Sequence, residues 1–288
     1  MKNPLDLLAR RAAYYLFSVG KNLGIPTPQI VAKHVHHKGV VKVLVGQGQN
    51  FRMQSYGHAI ENRLYWYGKF GHEPESFLPW LKAASQAQVV LDIGANTGLY
   101  SLGAGAKNSA AQIFAFEPMP RVASLTRKNA QLNPSFNIQV QQNAVCDQGG
   151  MVTLHDPGGD QPASASLKSD FLDCDQETIE VEAIRIDDFV VAQKLERVDL
   201  IKLDVEGVEE IALRGMQQTI QKFKPTLFIE VLDSRPELMA ELKKLVELGY
   251  HVGDLCKDGV IKYDLDTTKG EDRNLLFTAD LDTFPELA

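Results

Sequence analysis

Apolar and polar positions fall into blocks along this chain, and the block length alternates. From Gln88 onward, apolar runs too short to be buried helices recur between stretches with helical spacing. The runs predict strands at 88–92, 112–116, 138–143, 198–203 and 226–231. The stretches between them predict helices at 98–107, 120–131, 187–194, 207–222 with a break near Gly215, and 236–248. Such alternation implies a parallel sheet with helices on its faces. Pro134 and Pro225 mark boundaries, because the residue before a proline is driven out of helical backbone. The last part reads as strands from Tyr250 to Asp254, Val260 to Tyr263 and Asn274 to Thr278, close enough together for an antiparallel edge. Strands at 151–155 and 178–184 flank Asp156-Pro157-Gly158-Gly159-Asp160-Gln161-Pro162, a composition that holds no regular structure. Long loops of this kind are often lids.

The pattern before Gln88 is different. Leu5 to Val19 reads as an amphipathic helix with Leu5, Leu8, Ala12, Tyr15, Leu16 and Val19 near one face. That face packs on the domain or on a second subunit, which would make a homodimer through the N-terminal region. A helix lying on a membrane surface is less supported, since its charge is modest. His34, His36 and His37, between Lys33 and Lys38, read as a solvated loop. Val40 to Val45 and Phe51 to Gln54 read as a hairpin around Gly46-Gln47-Gly48-Gln49. Tyr65-Trp66-Tyr67 is a packing patch, since no basic groove accompanies it. The expected organisation is an appendage at 1–80 and a main domain at 81–288.

One turn carries the chemistry. Val89-Val90-Leu91-Asp92-Ile93-Gly94-Ala95-Asn96-Thr97-Gly98 is an apolar strand, an acid and a Gly-rich turn, followed by a helix. Open α/β sheets bind nucleoside-bearing ligands at such strand ends. The spacing is Asp-x-Gly-x-x-x-Gly, not the Gly-x-Gly-x-x-Gly of dinucleotide sites. Asp92 would repel a pyrophosphate and welcome a cationic amine, which favours S-adenosylmethionine. Asp92, with the backbone at Gly94, Asn96 and Gly98, is expected to hold its methionine half. Glu117 lies 19 residues beyond Gly98, at the end of the next strand. A carboxylate there can accept both ribose hydroxyls; the competing role is a charge complementing a helix N-terminus.

Composition narrows the remaining classes. The chain has 288 residues and a net charge of −7, so nothing draws it generally to nucleic acid. Its three cysteines, Cys146, Cys174 and Cys256, lie far apart and form no Cys-x-x-Cys zinc pattern. A reducing, cytoplasmic setting is the simplest inference. No run of about 20 apolar residues offers an integral membrane segment.

Four stretches give the chain after Gly71 a family likeness: Gly71-His72-Glu73-Pro74, Leu91 to Gly98, Ala115-Phe116-Glu117-Pro118, and Asp199-Leu200-Ile201-Lys202-Leu203-Asp204-Val205-Glu206-Gly207. Asn143-Ala144-Val145 and Asn274-Leu275-Leu276-Phe277 are weaker echoes. In this order they resemble the FkbM-type methyltransferases, a branch of the class I S-adenosylmethionine-dependent enzymes. His72, where the family often has an aromatic residue, is a departure. The resemblance implies a doubly wound, mostly parallel seven-stranded-type sheet with an antiparallel last strand. It also implies adenine contacts from Asn143 and Ala144 and a cofactor-end contact from Glu73.

The acid stretch bears on the reaction. Asp204 and Glu206 end the fourth strand, beside the expected donor methyl, and Glu230 ends the next. In this architecture Asp204 and Glu230 are expected to face each other across the topological crevice. A sugar-type hydroxyl ionises far above neutral pH, so its methylation profits from a general base. Asp204, Glu230 and Glu206 are the candidates. The pair is also compatible with a divalent cation, but two carboxylates are a thin ligand set, so no metal is predicted. Lys202 receives no role. The expected activity is O-methylation of a hydroxyl on a sugar, glycan or polyketide-like small molecule. N-methylation is disfavoured by the absence of an Asn/Asp-Pro-Pro-aromatic ending on the fourth strand. A non-catalytic cofactor-binding module is the remaining alternative.

Overall fold

The computed structural model describes residues 4–156, 167, 177–232, 235–267 and 272–288. The chain divides into two units, Met1–Pro74 and Glu75–Ala288. Most of the irregular stretch expected at 156–170 lies outside the described residues.

The first unit contains helices α1 (Pro4–Asn22), α2 (Gln29–His34) and α3 (Ala59–Tyr67) and an antiparallel hairpin, β1 (Gly39–Leu44) with β2 (Asn50–Ser55). Val31, Ala32, Val35 and Trp66 form its buried centre, with Ala13, Tyr14, Phe17 and Tyr65 packed against it. The face of α1 that packs within the chain carries Ala13, Tyr14 and Phe17. Tyr15, Leu16 and Val19, expected to pack on the domain or on a second subunit, are exposed and take no part in that packing. His37 also departs from the solvated-loop expectation. Its ring stacks on Tyr65 at 3.9 Å and is hydrogen-bonded to the Tyr14 hydroxyl at 2.8 Å. His34, the last residue of α2, and His36 in the loop beyond it are both exposed.

The second unit begins with α4 (Pro74–Ala84) and then alternates: β3 (Val89–Ile93), α5 (Leu99–Lys107), β4 (Gln112–Phe116), α6 (Pro120–Gln131) and β5 (Asn137–Gln141). After β6 (Ala144–Val145), β7 (Gly150–Asp156) and β8 (Glu177–Ile184) come α7 (Ile186–Ala192), β9 (Leu200–Leu203), α8 (Glu209–Arg214), α9 (Gln217–Phe223) and β10 (Thr226–Val231). The chain ends through α10 (Pro236–Glu247), β11 (His251–Cys256), β12 (Gly259–Lys262) and β13 (Arg273–Thr278). Among the described residues the main sheet runs β12-β11-β13-β10-β9-β3-β4-β5. Strands β10, β9, β3, β4 and β5 are mutually parallel, and β13 inserts antiparallel between β10 and β11. A smaller sheet, β6-β8-β7, lies beside it.

Each strand presents alternate residues to alternate faces. Leu91, Ile93, Phe114, Phe116, Ile201, Leu203, Leu227 and Ile229 point one way, into a core completed by Phe189, Leu213, Ile220 and Leu242 from the helices. Full burial of each such side chain contributes about 1.5–3 kcal/mol. On the other face Trp80 of α4 meets Tyr100 and Phe228 edge-on and donates its indole N–H to the Tyr100 carbonyl at 2.9 Å.

The strand order corrects two expectations about the site. The chain winds outward from β3 through β4 to β5 and then returns to β9 on the other side of β3. The reversal, and so the crevice, lies between β3 and β9. Asp204 and Glu230 stand at neighbouring strand ends instead of across it. The third strand also stops at Gln141, short of the expected 143. Gln142 and Asn143 carry the chain out of the main sheet, and Ala144 pairs with Ala183 of β8.

Candidate active site

The crevice is built from its backbone upward. At the end of β3, Gly94 (φ 79°) turns the chain, and Asn96 follows in left-handed backbone at φ 48°. Gly98 (φ 89°) then leads directly into α5. A β-carbon on Gly94 would overlap the Asp204 carbonyl oxygen, so only glycine lets the two strand ends lie this close. Thr126 and Asn129 of α6 pin the turn by donating to the carbonyls of Asn96 and Thr97.

Asp92 is almost fully buried, and its Oδ2 accepts the backbone N–H of Ser101 at 2.8 Å and the Ser101 hydroxyl at 2.5 Å. It therefore faces the first turn of α5 from behind the Gly94 loop. Burial pushes its carboxyl up to about 6, against the opposing pull of the Ser101 bonds and the Lys202 ammonium. Glu117 ends β4, and it clasps the turn. Its Oε2 accepts the Asn96 N–H and its Oε1 the Met119 N–H, both at 2.9 Å. Each oxygen keeps a lone pair for a further donor. Burial pushes Glu117 up to about 7, and the two backbone bonds oppose that shift.

A cavity with about 710 Å³ of empty space, part of it open to solvent, occupies the crevice. Gly94, Asn96 and Glu117 line one side of it, and Asp204, Val205 and Glu206 another. Asn143 and Ala144 line it as well, beside the apolar Phe116, Val122, Leu154 and Leu167. Asn143 donates to Glu182 at 3.1 Å. Asp92 and Gly98 are not part of the lining. Glu73 lies in the other unit, in left-handed backbone at φ 39° and 3.4 Å from His72.

The Asp204–Gly207 loop is held from two sides. Fully buried Glu209 accepts the N–H groups of Gly207 at 2.9 Å and Val205 at 3.4 Å. Arg235 donates to the Gly207 carbonyl at 2.7 Å and to Glu210 at 2.9 Å. Below the loop, the side chain of Lys202 is 1% exposed; its Nζ lies 3.0 Å from Asp204 Oδ2 and 5.2 Å from the Tyr100 ring centre. Glu230 stands beside Asp204, one step beyond the Leu203–Ile229 pair, and burial together with that neighbouring carboxylate holds Glu230 far above the usual carboxylate range. Asn274 sits opposite Glu230 in the sheet.

Sequence reasoning passed over Lys202, Glu209 and Arg235. Lys202 had a readable signal: a lysine inside Leu200-Ile201-Lys202-Leu203 must be buried and must find an anionic partner. Glu209 and Arg235 had none, since Glu209 holds backbone groups of a loop and Arg235 reaches Gly207, Glu209 and Glu210 from more than 20 residues away. Among the described residues no cluster of three or more His, Cys, Asp or Glu side chains is arranged to hold a metal ion. No described helix is long and apolar enough to cross a membrane.

The strand order and the acid-bearing turn at the reversal define a class I methyltransferase fold. Residues 92–252 match the methyltransferase FkbM domain, and the chain belongs to that family. It is 32% identical over 163 residues to the 2-O-methyltransferase NoeI of Sinorhizobium fredii, covering 52% of this chain and 65% of NoeI. It is 26% identical over 155 residues to the 31-O-demethyl-FK506 methyltransferase FkbM of Streptomyces tacrolimicus, covering 45% and 59% of the two chains. The hexuronic acid methyltransferase AglP of Haloferax volcanii is 23% identical over 141 residues, covering 49% and 55%. The chain thus spans less than two thirds of the length of each of these relatives. A methyltransferase FkbM structure from Methylobacillus flagellatus superposes with a TM-score of 0.45 at 18% identity, over 66% of this chain and 43% of the other.

Proposed function

We propose that this chain is an S-adenosylmethionine-dependent O-methyltransferase acting on a hydroxyl of a sugar, glycan or polyketide-like small molecule. The observation that carries this reading is the crevice itself: one cavity bounded by the Glu117 carboxylate on one wall and Asp204 on the other. When bound, S-adenosylmethionine supplies a methyl group activated by a sulfonium.

In this reading Glu117 accepts the ribose hydroxyls, and the apolar wall with Asn143 and Ala144 takes the adenine. The Gly94–Asn96 backbone holds the methionine end, while Asp92 and Gly98 shape that turn from behind. Asp204 stands where the acceptor hydroxyl must be deprotonated, with Glu230 and Glu206 beside it. Two of the relatives are a 2-O-methyltransferase and a 31-O-demethyl-FK506 methyltransferase, which supports transfer to oxygen. The acidic strand end supports O-methylation in the same way. Titration with S-adenosylmethionine and with NAD, followed by a labelled-methyl screen of glycan and small-molecule acceptors, tests the reading. Binding of NAD alone would refute it, and cofactor binding with no transfer to any acceptor would favour a binding module.

A further inference from the structure

The face of the sheet opposite the large helical core carries a row of polar side chains at its carboxyl end. In the parallel ladders Asp92 pairs with Lys202, and Lys202 with Phe228. Two residues further along the same face the chain places Asp204 beside Glu230, and Glu230 faces Asn274 in the antiparallel ladder. The row therefore reads Asp92, Lys202 and Asp204, Glu230, Asn274 across four strands. Asn274 Oδ1 is buried in it without a hydrogen-bond partner.

We propose that Asp204 and Glu230 share one proton, carried on Glu230, and that Lys202 is the positioning residue that keeps Asp204 ionised as the base for the acceptor hydroxyl. The purpose assigned to the row rests on the methyltransferase reading; its protonation pattern does not. Two carboxyl groups buried side by side at neighbouring strand ends repel each other unless one of them holds a proton. The Lys202 ammonium touches Asp204, at 3.0 Å, so the ionised partner belongs on that side. The charged groups facing the pair agree. Asp92 on β3, Glu206 in the loop and Glu209 on α8 are all acidic; Lys202 is the cation against Asp204, and Arg235, 3.7 Å from Glu209, offsets that acid. With Glu230 ionised as well, this buried cluster would carry one more uncompensated negative charge. Burial and the Asp204 charge both raise Glu230.

The pattern separates the roles of the two acids. In the transfer the acceptor O–H bond breaks toward Asp204 while its oxygen forms the new bond to the methyl carbon. The sulfur–carbon bond breaks with its electron pair left on sulfur. Asp204 ends neutral, and the positive charge lost from the sulfonium is replaced by the proton gained beside it. Glu230 already holds its proton, so it orients Asp204 and does not act as the base.

Carboxyl carbon NMR on the full chain, labelled at Asp and Glu side chains, reads this directly. Signals are assigned by their loss in D204N and E230Q. At neutral pH Glu230 should be protonated and Asp204 ionised. Finding both ionised, or the proton on Asp204, overturns the proposal. In K202M the midpoint of Asp204 ionisation should move up by about one to three pH units, the usual effect of losing an adjacent cation. K202R should restore most of the shift, and K202Q carries the same test if K202M is unstable. A shift below about half a pH unit removes Lys202 from the role. Calorimetric titration of the wild type with S-adenosylmethionine stands apart: no binding would refute the methyltransferase reading and leave the NMR result intact.

Discussion

Gly94 and Asp204 meet so closely that a β-carbon on the first would overlap the carbonyl oxygen of the second. The Asp204 N–H also bonds the Ile93 carbonyl at 3.0 Å, so the two strand ends that bound the crevice are stitched by backbone alone. Gly94→Ala should therefore separate them. Left-handed backbone and the overlap together should cost about 2 kcal/mol or more of stability. Calorimetry should show cofactor affinity lost with it. A variant with unchanged melting temperature and affinity would show that the two walls move apart freely.

Glu117 gives a test in two parts. Glu117→Ala should weaken S-adenosylmethionine by about 1.5–3 kcal/mol, the worth of hydrogen bonds to a charged group. Undiminished affinity would remove Glu117 from the ribose site.

The second part is pH dependence. Glu117 is raised from 4.5 to about 7, so the folded chain binds its proton more tightly than the unfolded chain. Its contribution to stability is complete below about pH 4.5 and is lost as pH rises through about 7. The ligand-free protein should thus lose stability across that window, and Glu117→Gln should flatten the loss. Cofactor affinity should run the opposite way, rising as Glu117 ionises. Denaturant titrations at several pH values check the first trend, and calorimetry at the same values the second.

Asp204→Asn keeps the shape of the side chain but cannot take a proton at neutral pH. Turnover should fall by about 10²–10⁴-fold, with cofactor affinity little changed. A smaller, pH-insensitive loss would assign the rate to positioning. Near-wild-type turnover with a competent acceptor would end the carboxylate-base mechanism.

Glu209→Ala should loosen the Asp204–Gly207 loop without touching any reacting atom. The N–H groups of half-buried Val205 and buried Gly207 lose their acceptor, at a cost of about 1–3 kcal/mol for Gly207. Hydrogen exchange at these two amides should quicken before the rest of the sheet opens. Unchanged protection would mean that Arg235 holds the loop alone.

The sequence by itself determined the alternation of strands and helices in the second unit, because strand and helix periods differ and Pro and Gly punctuate them sharply. It also determined the acid-bearing turn at Asp92–Gly98 and the second acid at Glu117, since a glycine turn and a strand-end carboxylate are local signals. Only the tertiary structure decided where those groups point. Asp92 reads as a ligand contact in one dimension, yet in the fold it is buried, bonds Ser101 nine residues on and does not line the cavity. The packed face of α1 was settled by the rings of Tyr14 and Phe17 meeting Tyr65 and Trp66, partners about fifty residues distant. Lys202, Asp204 and Glu230 became one charge cluster through strand register, which no local pattern encodes. Period and turn chemistry act over a few residues; charge, burial and proton sharing depend on what the fold brings alongside.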